Sequence, residues 1–175
     1  MNDFEQKDYR VFDLFENQWA LAAAGTPERF NCCTLSWGGM GTLWSRSVLT
    51  VYVHPARYTH SFLTENEYFT VSFFPEDCRK ALALLGARSG RDGDKLAASG
   101  LHSVPMGEGI GFEEAELSFL CRKLCQLPFE KAALAPEIQN YYRNNPRAFP
   151  PDENGNWQPH WVFVGEILEV LDKRL

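Results

Sequence analysis

The stretch Asn31-Cys32-Cys33-Thr34-Leu35-Ser36-Trp37-Gly38-Gly39 decides how this chain is read. Residues 30–37 have the look of a strand. Thr34 and Ser36 therefore share parity and set both hydroxyls on one face. That face is suited to hydrogen-bond a ligand, with Trp37 and the glycines shaping the way out. An ordinary strand edge with Ser/Thr pairing is the plainer alternative. Gly38-Gly39-Met40-Gly41 then predicts a break in regular structure.

Working outward, residues 18–24 form a preceding strand, joined through the turn Gly25-Thr26-Pro27-Glu28. Downstream, Ser47 to Val53 is a β-branched and aromatic run stopped by Pro55, and Tyr68 to Phe73 is a further strand ended by Pro75. Arg57 to Asn66 between them reads as a short helix. Glu76 to Leu85 is a clearer helix, with Cys78, Leu82 and Leu85 on one face and Gly86 as its stop. Lys95 to Ser99 predicts a helical turn closed by Gly100. Ala115 to Leu127 alternates, with Leu117, Phe119, Cys121 and Cys125 on one side. Pro136 to Arg143 reads as a small helix, Asn144 to Pro159 as irregular chain, and Trp161 to Leu171 as the last strand. The expected class is mainly β with short helices, a small barrel of about six to seven strands. Several strands are apolar on both parities, as happens where neighbours cover both faces.

The bulk properties agree. A chain of 175 residues suits one domain and buries about 70% of the surface its unfolded form exposes. Hydrophobic residues make up 45% and charged residues 23%, which argues against disorder, and aromatics at 14% suit a β-rich core or a flat ligand. The net charge of −6 has the wrong sign for a duplex-binding module, so no nucleic-acid partner is expected. No apolar stretch is long enough to span a bilayer, and the first residues lack the basic-then-apolar order of a signal peptide, so a cytoplasmic location is expected. Five cysteines without a C-x-x-C spacing read as buried thiols in a reducing compartment. The four histidines have no metal-ligand spacing and read as structural, so no metal is expected. No G-x-G-x-x-G or Walker pattern occurs.

Two further clusters carry possible chemistry. In Arg88-Ser89-Gly90-Arg91-Asp92-Gly93-Asp94-Lys95, two glycines let successive N–H groups converge on an anion, and Arg91 and Lys95 add full charges. The same residues equally suit a solvated loop in which Asp92 or Asp94 caps a helix. His54-Pro55-Ala56-Arg57-Tyr58-Thr59 sets Arg, Tyr and Thr just after a buried strand, where binding groups concentrate. The alternative is a capping Thr59 and a surface ion pair for Arg57.

In combination these segments resemble the flavin reductase-like family, whose fold is the FMN-binding split barrel, and within it the flavoredoxin-type branch. The residues that carry the likeness are Asn31-x-x-Thr34-x-Ser36-Trp37-Gly38-Gly39, Gly41-x-x-Trp44, Pro55-x-Arg57-Tyr58-Thr59 and Tyr68-Phe69-Thr70-Val71-Ser72-Phe73-Phe74. Arg79-Lys80-Ala81-Leu82, Ser89-Gly90-Arg91-Asp92-x-Asp94-Lys95 and His160-x-x-Phe163-Val164-Gly165-Glu166-Ile167 follow in order. The likeness runs over about residues 18–171 of a single domain spanning 1–175. It implies a homodimer that binds one FMN per subunit non-covalently near the subunit interface. Thr34, Ser36 and Trp37 would line the flavin, and Arg57, Tyr58 and Thr59 would follow it from the next strand end. Ser72 and Phe73 would offer backbone N–H groups to the ring edge. Ser89, Gly90, Arg91 and Lys95 would hold an anionic part of the cofactor. The branch usually carries Arg or Lys where His54 stands here.

The activity the resemblance implies is an oxidoreductase that passes electrons from NAD(P)H through FMN to a flavin or another small-molecule or protein acceptor. The chemistry would be the cofactor's, since no side chain accepts a hydride, and no catalytic side chain is assigned. The absence of a nicotinamide-binding motif leaves a second reading open, an FMN electron carrier reduced by a partner protein. A third is a dimeric barrel for another phosphorylated ligand.

Overall fold

Why the strands are apolar on both parities becomes clear from what covers them in the computed structural model, which describes residues 3–174. The strands are β1 (Ala20–Thr26), β2 (Arg29–Leu35), β3 (Gly38–Leu43), β4 (Arg46–Val53), β5 (Tyr68–Phe73), β6 (Ser103–Met106), β7 (Gly109–Phe112), β8 (Leu117–Pro128) and β9 (Trp161–Asp172). The helices are α1 (Val11–Asp13), α2 (Tyr58–Glu65), α3 (Arg79–Ala87), α4 (Lys95–Ser99) and α5 (Pro136–Asn144). Seven strands form one antiparallel sheet in the order β2-β1-β5-β8-β9-β4-β3, and β6 and β7 make a separate hairpin. This is the mainly β split-barrel class that the sequence predicts.

The inward parity of the sheet packs Leu49 and Val51 of β4, Phe69 and Phe73 of β5, Phe119 of β8 and Phe163 of β9 into one core, closed by Phe62 and Leu63 of α2. The other parity of β1 and β2 is not solvated. Leu21, Ala23 and Cys32 pack beneath Leu82 and Leu85 of α3 and Ile110 and Phe112 of β7. Every residue from Ala20 to Ala24 is thus buried, because β1 has a hydrophobic neighbour on each side. The twelve-residue strands β8 and β9 pair along their length with irregularities between Leu120 and Cys121 and between Lys123 and Cys125. Such bulges bend a strand and help the sheet curl about its core.

Three local expectations need correction. The glycines at 38, 39 and 41 lie within β3, paired to β4 with Gly38 opposite Val51 and Gly41 opposite Val48. They do not break the strand; the missing side chain at Gly38 makes room for the Phe15 ring, which a Cβ there would overlap. Gly86 does not stop α3, which runs on to Ala87. A helical glycine costs only about 1 kcal/mol relative to alanine, and here its bare backbone lies against Thr34. The β6–β7 hairpin has no counterpart in the sequence reading, because its strands are four residues each and one carries Pro105.

A similar economy of space operates at Gly165 in β9, where an added Cβ would stand 2.6 Å from the Phe69 ring and 2.7 Å from Cys121 Cβ. Gly165→Ala is expected to destabilise the protein by about 1–3 kcal/mol through overpacking, read as a lower midpoint in urea unfolding.

Candidate functional site

Strands β2 and β3 are the two free edges of the seven-stranded sheet, yet only Ser36 and Trp37 separate them in the chain. So short a link holds the two edges close without pairing them. A cavity of about 330 Å³ opens there. The end of β2 supplies Cys33, Thr34 and Leu35, the link supplies Ser36 and Trp37, and the end of β4 supplies Tyr52 and Val53, followed by His54 and Arg57. The far wall comes from Tyr141 of α5, Phe149 of the loop after it, and His160 just before β9. Trp37 is the hub of this wall, with ring centroids 4.6 Å from His160, 5.9 Å from Phe149 and 6.4 Å from Tyr141. A second cavity of about 380 Å³ adjoins the first and shares Ser36, Trp37, Tyr52 and His160 with it.

The walls hold little formal charge. The Ala56 N–H donates to His54 Nδ1 at 3.2 Å, so the ring proton lies on Nε2, 3.1 Å from the Gln158 carbonyl. That pair of bonds suits the neutral ring, and burial lowers the His54 pKa as well. His160 meets the Tyr142 hydroxyl through Nδ1 at 2.8 Å. Burial, with the nearby His54 and Arg57, pushes its pKa down to about 3. Among the described residues Arg57 is the one cation lining the cavity, and its guanidinium donates to the Gly86 carbonyl. The Ser36 side chain makes no hydrogen bond among the described residues, leaving a hydroxyl for a ligand.

The structure divides the sequence-predicted residues into groups. Thr34, Ser36, Trp37 and Arg57 line the cavity together. The Thr34 hydroxyl is turned toward α3, donating to Leu82 O at 2.6 Å. Tyr58, Gly90 and Lys95 face another cavity of about 490 Å³, on the side of Asn31 and Cys32. Thr59 is buried beneath it and donates to Asn31 Oδ1 at 3.2 Å. The Ser89 hydroxyl accepts from the Arg91 N–H at 3.2 Å and starts a short 3-10 turn, Gly90–Asp92. Arg91 reaches back over the Tyr58 ring, 4.6 Å from its centroid, with Nη1 3.4 Å from Ala56 O. Arg57 thus reaches from the 56–58 loop toward Gly86, whereas Arg91 comes onto Ala56 and Tyr58 of that loop from the Gly90–Asp92 turn.

Two placements differ in kind. Lys95 is buried, and its ammonium donates to the carbonyls of Leu85 at 3.0 Å and Arg88 at 3.2 Å. It secures the end of α3, and burial lowers its pKa. Ser72 and Phe73 have no exposure; they sit in β5 between β1 and β8, and Ser72 Oγ lies 2.9 Å from Ser118 Oγ. The structure does not bring these two into the cavity. Conversely, Tyr52, Tyr141, Phe149 and both cavity histidines enter the walls although the sequence pattern marks none of them as a ligand contact. His160 carries a signal in its place ahead of Phe163 and Gly165, but nothing in residues 136–149 indicates where that segment docks.

The fold and its cleft define a split barrel open between two strand edges. The family model described as flavin reductase like domain matches residues 12–174, and the chain belongs to that family. No curated protein matches the chain. Among solved structures, an FMN-binding protein from Thermus thermophilus with bound 1-cyclohex-2-enone has a TM-score of 0.65 at 22% identity, covering 89% of this chain and 70% of that one. A flavoredoxin from Methanosarcina acetivorans gives 0.65 at 20% identity, covering 90% and 69%. An NADH:FAD oxidoreductase from Streptomyces globisporus C-1027, in complex with NAD and FAD fragments, gives 0.64 at 16% identity, covering 93% and 79%.

The split between Arg91 and Lys95 is measurable. Lys95→Met is expected to lower stability by about 1–3 kcal/mol, the worth of hydrogen bonds from a charged group. Arg91→Ala, at an exposed position, should stay within about 0.5 kcal/mol; paired denaturant titrations read both. A separate expectation concerns acid. His60 of α2 packs edge-on against Trp161 and Phe163, and burial pushes its pKa down to about 4. The unfolded chain takes that proton near pH 6.5, whereas the folded protein resists until about pH 4. The associated stability is complete above the unfolded value and is lost as pH falls through this window. His60→Gln should therefore flatten the fall in stability between those pH values, read by circular dichroism.

Proposed function

We propose that the protein is an FMN-dependent NAD(P)H oxidoreductase that acts as a homodimer, with FMN held non-covalently in the cleft beside the Ser36-Trp37 link. The observation that carries this reading is the cleft itself. It joins ring-bearing walls, a free hydroxyl and one guanidinium at the opening of a barrel of the flavin reductase-like family. Its volume lies within the range of small-molecule sites.

The residues present fit such a group. Trp37, Tyr52, Tyr141 and Phe149 offer flat apolar surface, Ser36 a hydroxyl, and His160 an uncharged imidazole. Arg57, with Arg91 across the 56–58 loop, would hold the phosphate by charge-assisted hydrogen bonds. Ser89 and Gly90 would support that end through the turn that carries Arg91, and Thr34, Tyr58 and Thr59 would shape the wall around it. Lys95 would act from behind, fixing the end of α3. When bound, FMN supplies a ring that takes a hydride and returns electrons to an acceptor. The chain's own part is to orient the ring, limit water at the walls and set the electrostatics of its edge. Exposed Phe12 and Phe129, which line one cavity beside Trp37, are the kind of surface a second subunit covers, which supports the dimer. A cytoplasmic location agrees with the absence, among the described residues, of any helix able to cross a membrane.

The second reading is an FMN carrier reduced by a partner protein. It is favoured by the scarcity of cations in the cleft beyond Arg57, since a dinucleotide brings phosphates of its own. One preparation separates the cases. Purified protein should be yellow and should bleach anaerobically within a turnover when NADH or NADPH is mixed in a stopped-flow instrument. Yellow protein that bleaches slowly with both nucleotides selects the carrier. Colourless protein that takes up no added FMN overturns both.

A further inference from the structure

Tyr142 lies on the buried side of α5, stacked on Trp157 with ring centroids 5.7 Å apart. Its hydroxyl meets His160 twice. The His160 backbone N–H donates to Tyr142 Oη at 3.2 Å, and the same oxygen stands 2.8 Å from His160 Nδ1. A phenol has one proton to give and lone pairs to accept with. The oxygen already accepts from the backbone, and among the described residues its proton has no other acceptor than Nδ1. Were Nδ1 protonated, the phenol proton would be buried without a partner, which is unfavourable. Every group is satisfied when Tyr142 donates to Nδ1.

A neutral imidazole whose Nδ1 accepts carries its proton on Nε2. The His160 ring lines both cavities at the Ser36-Trp37 link, and its Nε2 has no hydrogen-bond partner among the described residues. We propose that Tyr142 is a positioning residue that locks His160 as the Nε2–H tautomer and so presents a neutral donor to a carbonyl oxygen of the ligand in the cleft. The identity of that ligand as a flavin rests on the function proposed above; the tautomer lock does not.

The surroundings keep the donor uncharged. The groups that face the ring are His54, whose centroid is 5.3 Å away and whose own tautomer is held by Ala56 and Gln158, the cation of Arg57, and the aromatic rings of Trp37 and Phe149. Burial, His54 and Arg57 all oppose its protonation. A neutral N–H can serve a carbonyl in either redox state of a ring without adding a formal charge to the site. The α5 segment thereby takes part in the chemistry of a cleft built mainly from strand ends.

The test uses the full chain with ¹⁵N-labelled histidine. Long-range proton–nitrogen correlation spectra report the tautomer of each ring without any cofactor, and His160→Gln assigns the signal. Wild-type protein should show His160 as Nε2–H, and Tyr142→Phe should give mixed tautomers while its circular dichroism remains native. FMN titration should then show binding weaker by about five- to tenfold in Tyr142→Phe, the scale of one neutral hydrogen bond. An Nδ1–H signal in the wild type, or a Tyr142→Phe spectrum identical to it, overturns the lock. Altered tautomers with unchanged FMN affinity overturn the contact with the ligand. If Tyr142→Phe does not fold, the wild-type spectrum and the FMN affinity of His160→Gln decide the two points. Wild-type protein that shows the Nε2–H tautomer but binds no FMN sinks the flavin reading and leaves the lock standing.

Discussion

The shortness of the link between the two free edges of the sheet is the constraint on which the molecule is organised. Strands β2 and β3 lie at opposite ends of the strand order, and two residues connect them. The sheet must therefore curl until its ends approach, but the corner at Ser36 and Trp37 keeps the edges from pairing. Unpaired edges expose backbone polar groups and are normally covered or blunted. Here Trp37 fills part of the gap with an aromatic side chain, and the rest of the gap is the cleft.

The curl imposes demands elsewhere. Strands β1 and β2 are covered on the outer side by α3 and the β6–β7 hairpin and on the inner side by the phenylalanine core. Side chains must vanish where layers meet most closely, which places Gly38 under Phe15 and Gly165 against Phe69. The polar devices at these junctions are correspondingly local. Thr34 is bound to Leu82, Arg57 to Gly86 and Lys95 to Leu85 and Arg88, so the cleft floor and α3 are fastened at several points. The residues that flank the cleft and the residues that hold the fold are thus neighbours in the chain. The cleft is also poor in charge: two of its polar walls are imidazoles kept neutral by burial and by their hydrogen bonds.

Most of the strands were legible in the order of residues because a strand repeats every two positions and its ends carry turn residues. The pairs 18–24 with 30–37, the run 47–53 and the run 68–73 fall within or close to β1, β2, β4 and β5. Glycine at 38, 39, 41 and 86 misled, since its effect depends on what stands where the Cβ would be, and that neighbour comes from Phe15 or Thr34, distant in sequence. The site was legible where it is local: Thr34 to Trp37 lie within two residues of the end of β2, and Arg57 follows the end of β4 by four. The cation of Lys95 was not, because a basic residue in a polar loop does not reveal whether it meets solvent, an anion or its own backbone carbonyls.

By itself, the sequence determined most of the strands, the segments that resemble a flavin-binding barrel, a guanidinium shortly after β4, and the hydroxyl at the end of β2. These are properties of residue type and near spacing, which act before the chain is closed. Only the tertiary structure decided that residues 136–160 fold back across that strand end, setting Tyr141, Phe149 and His160 opposite Ser36 and placing Tyr142 behind the imidazole. No periodicity records such a contact. It follows from which apolar face finds cover once the sheet has curled, and that is settled by packing over the whole chain.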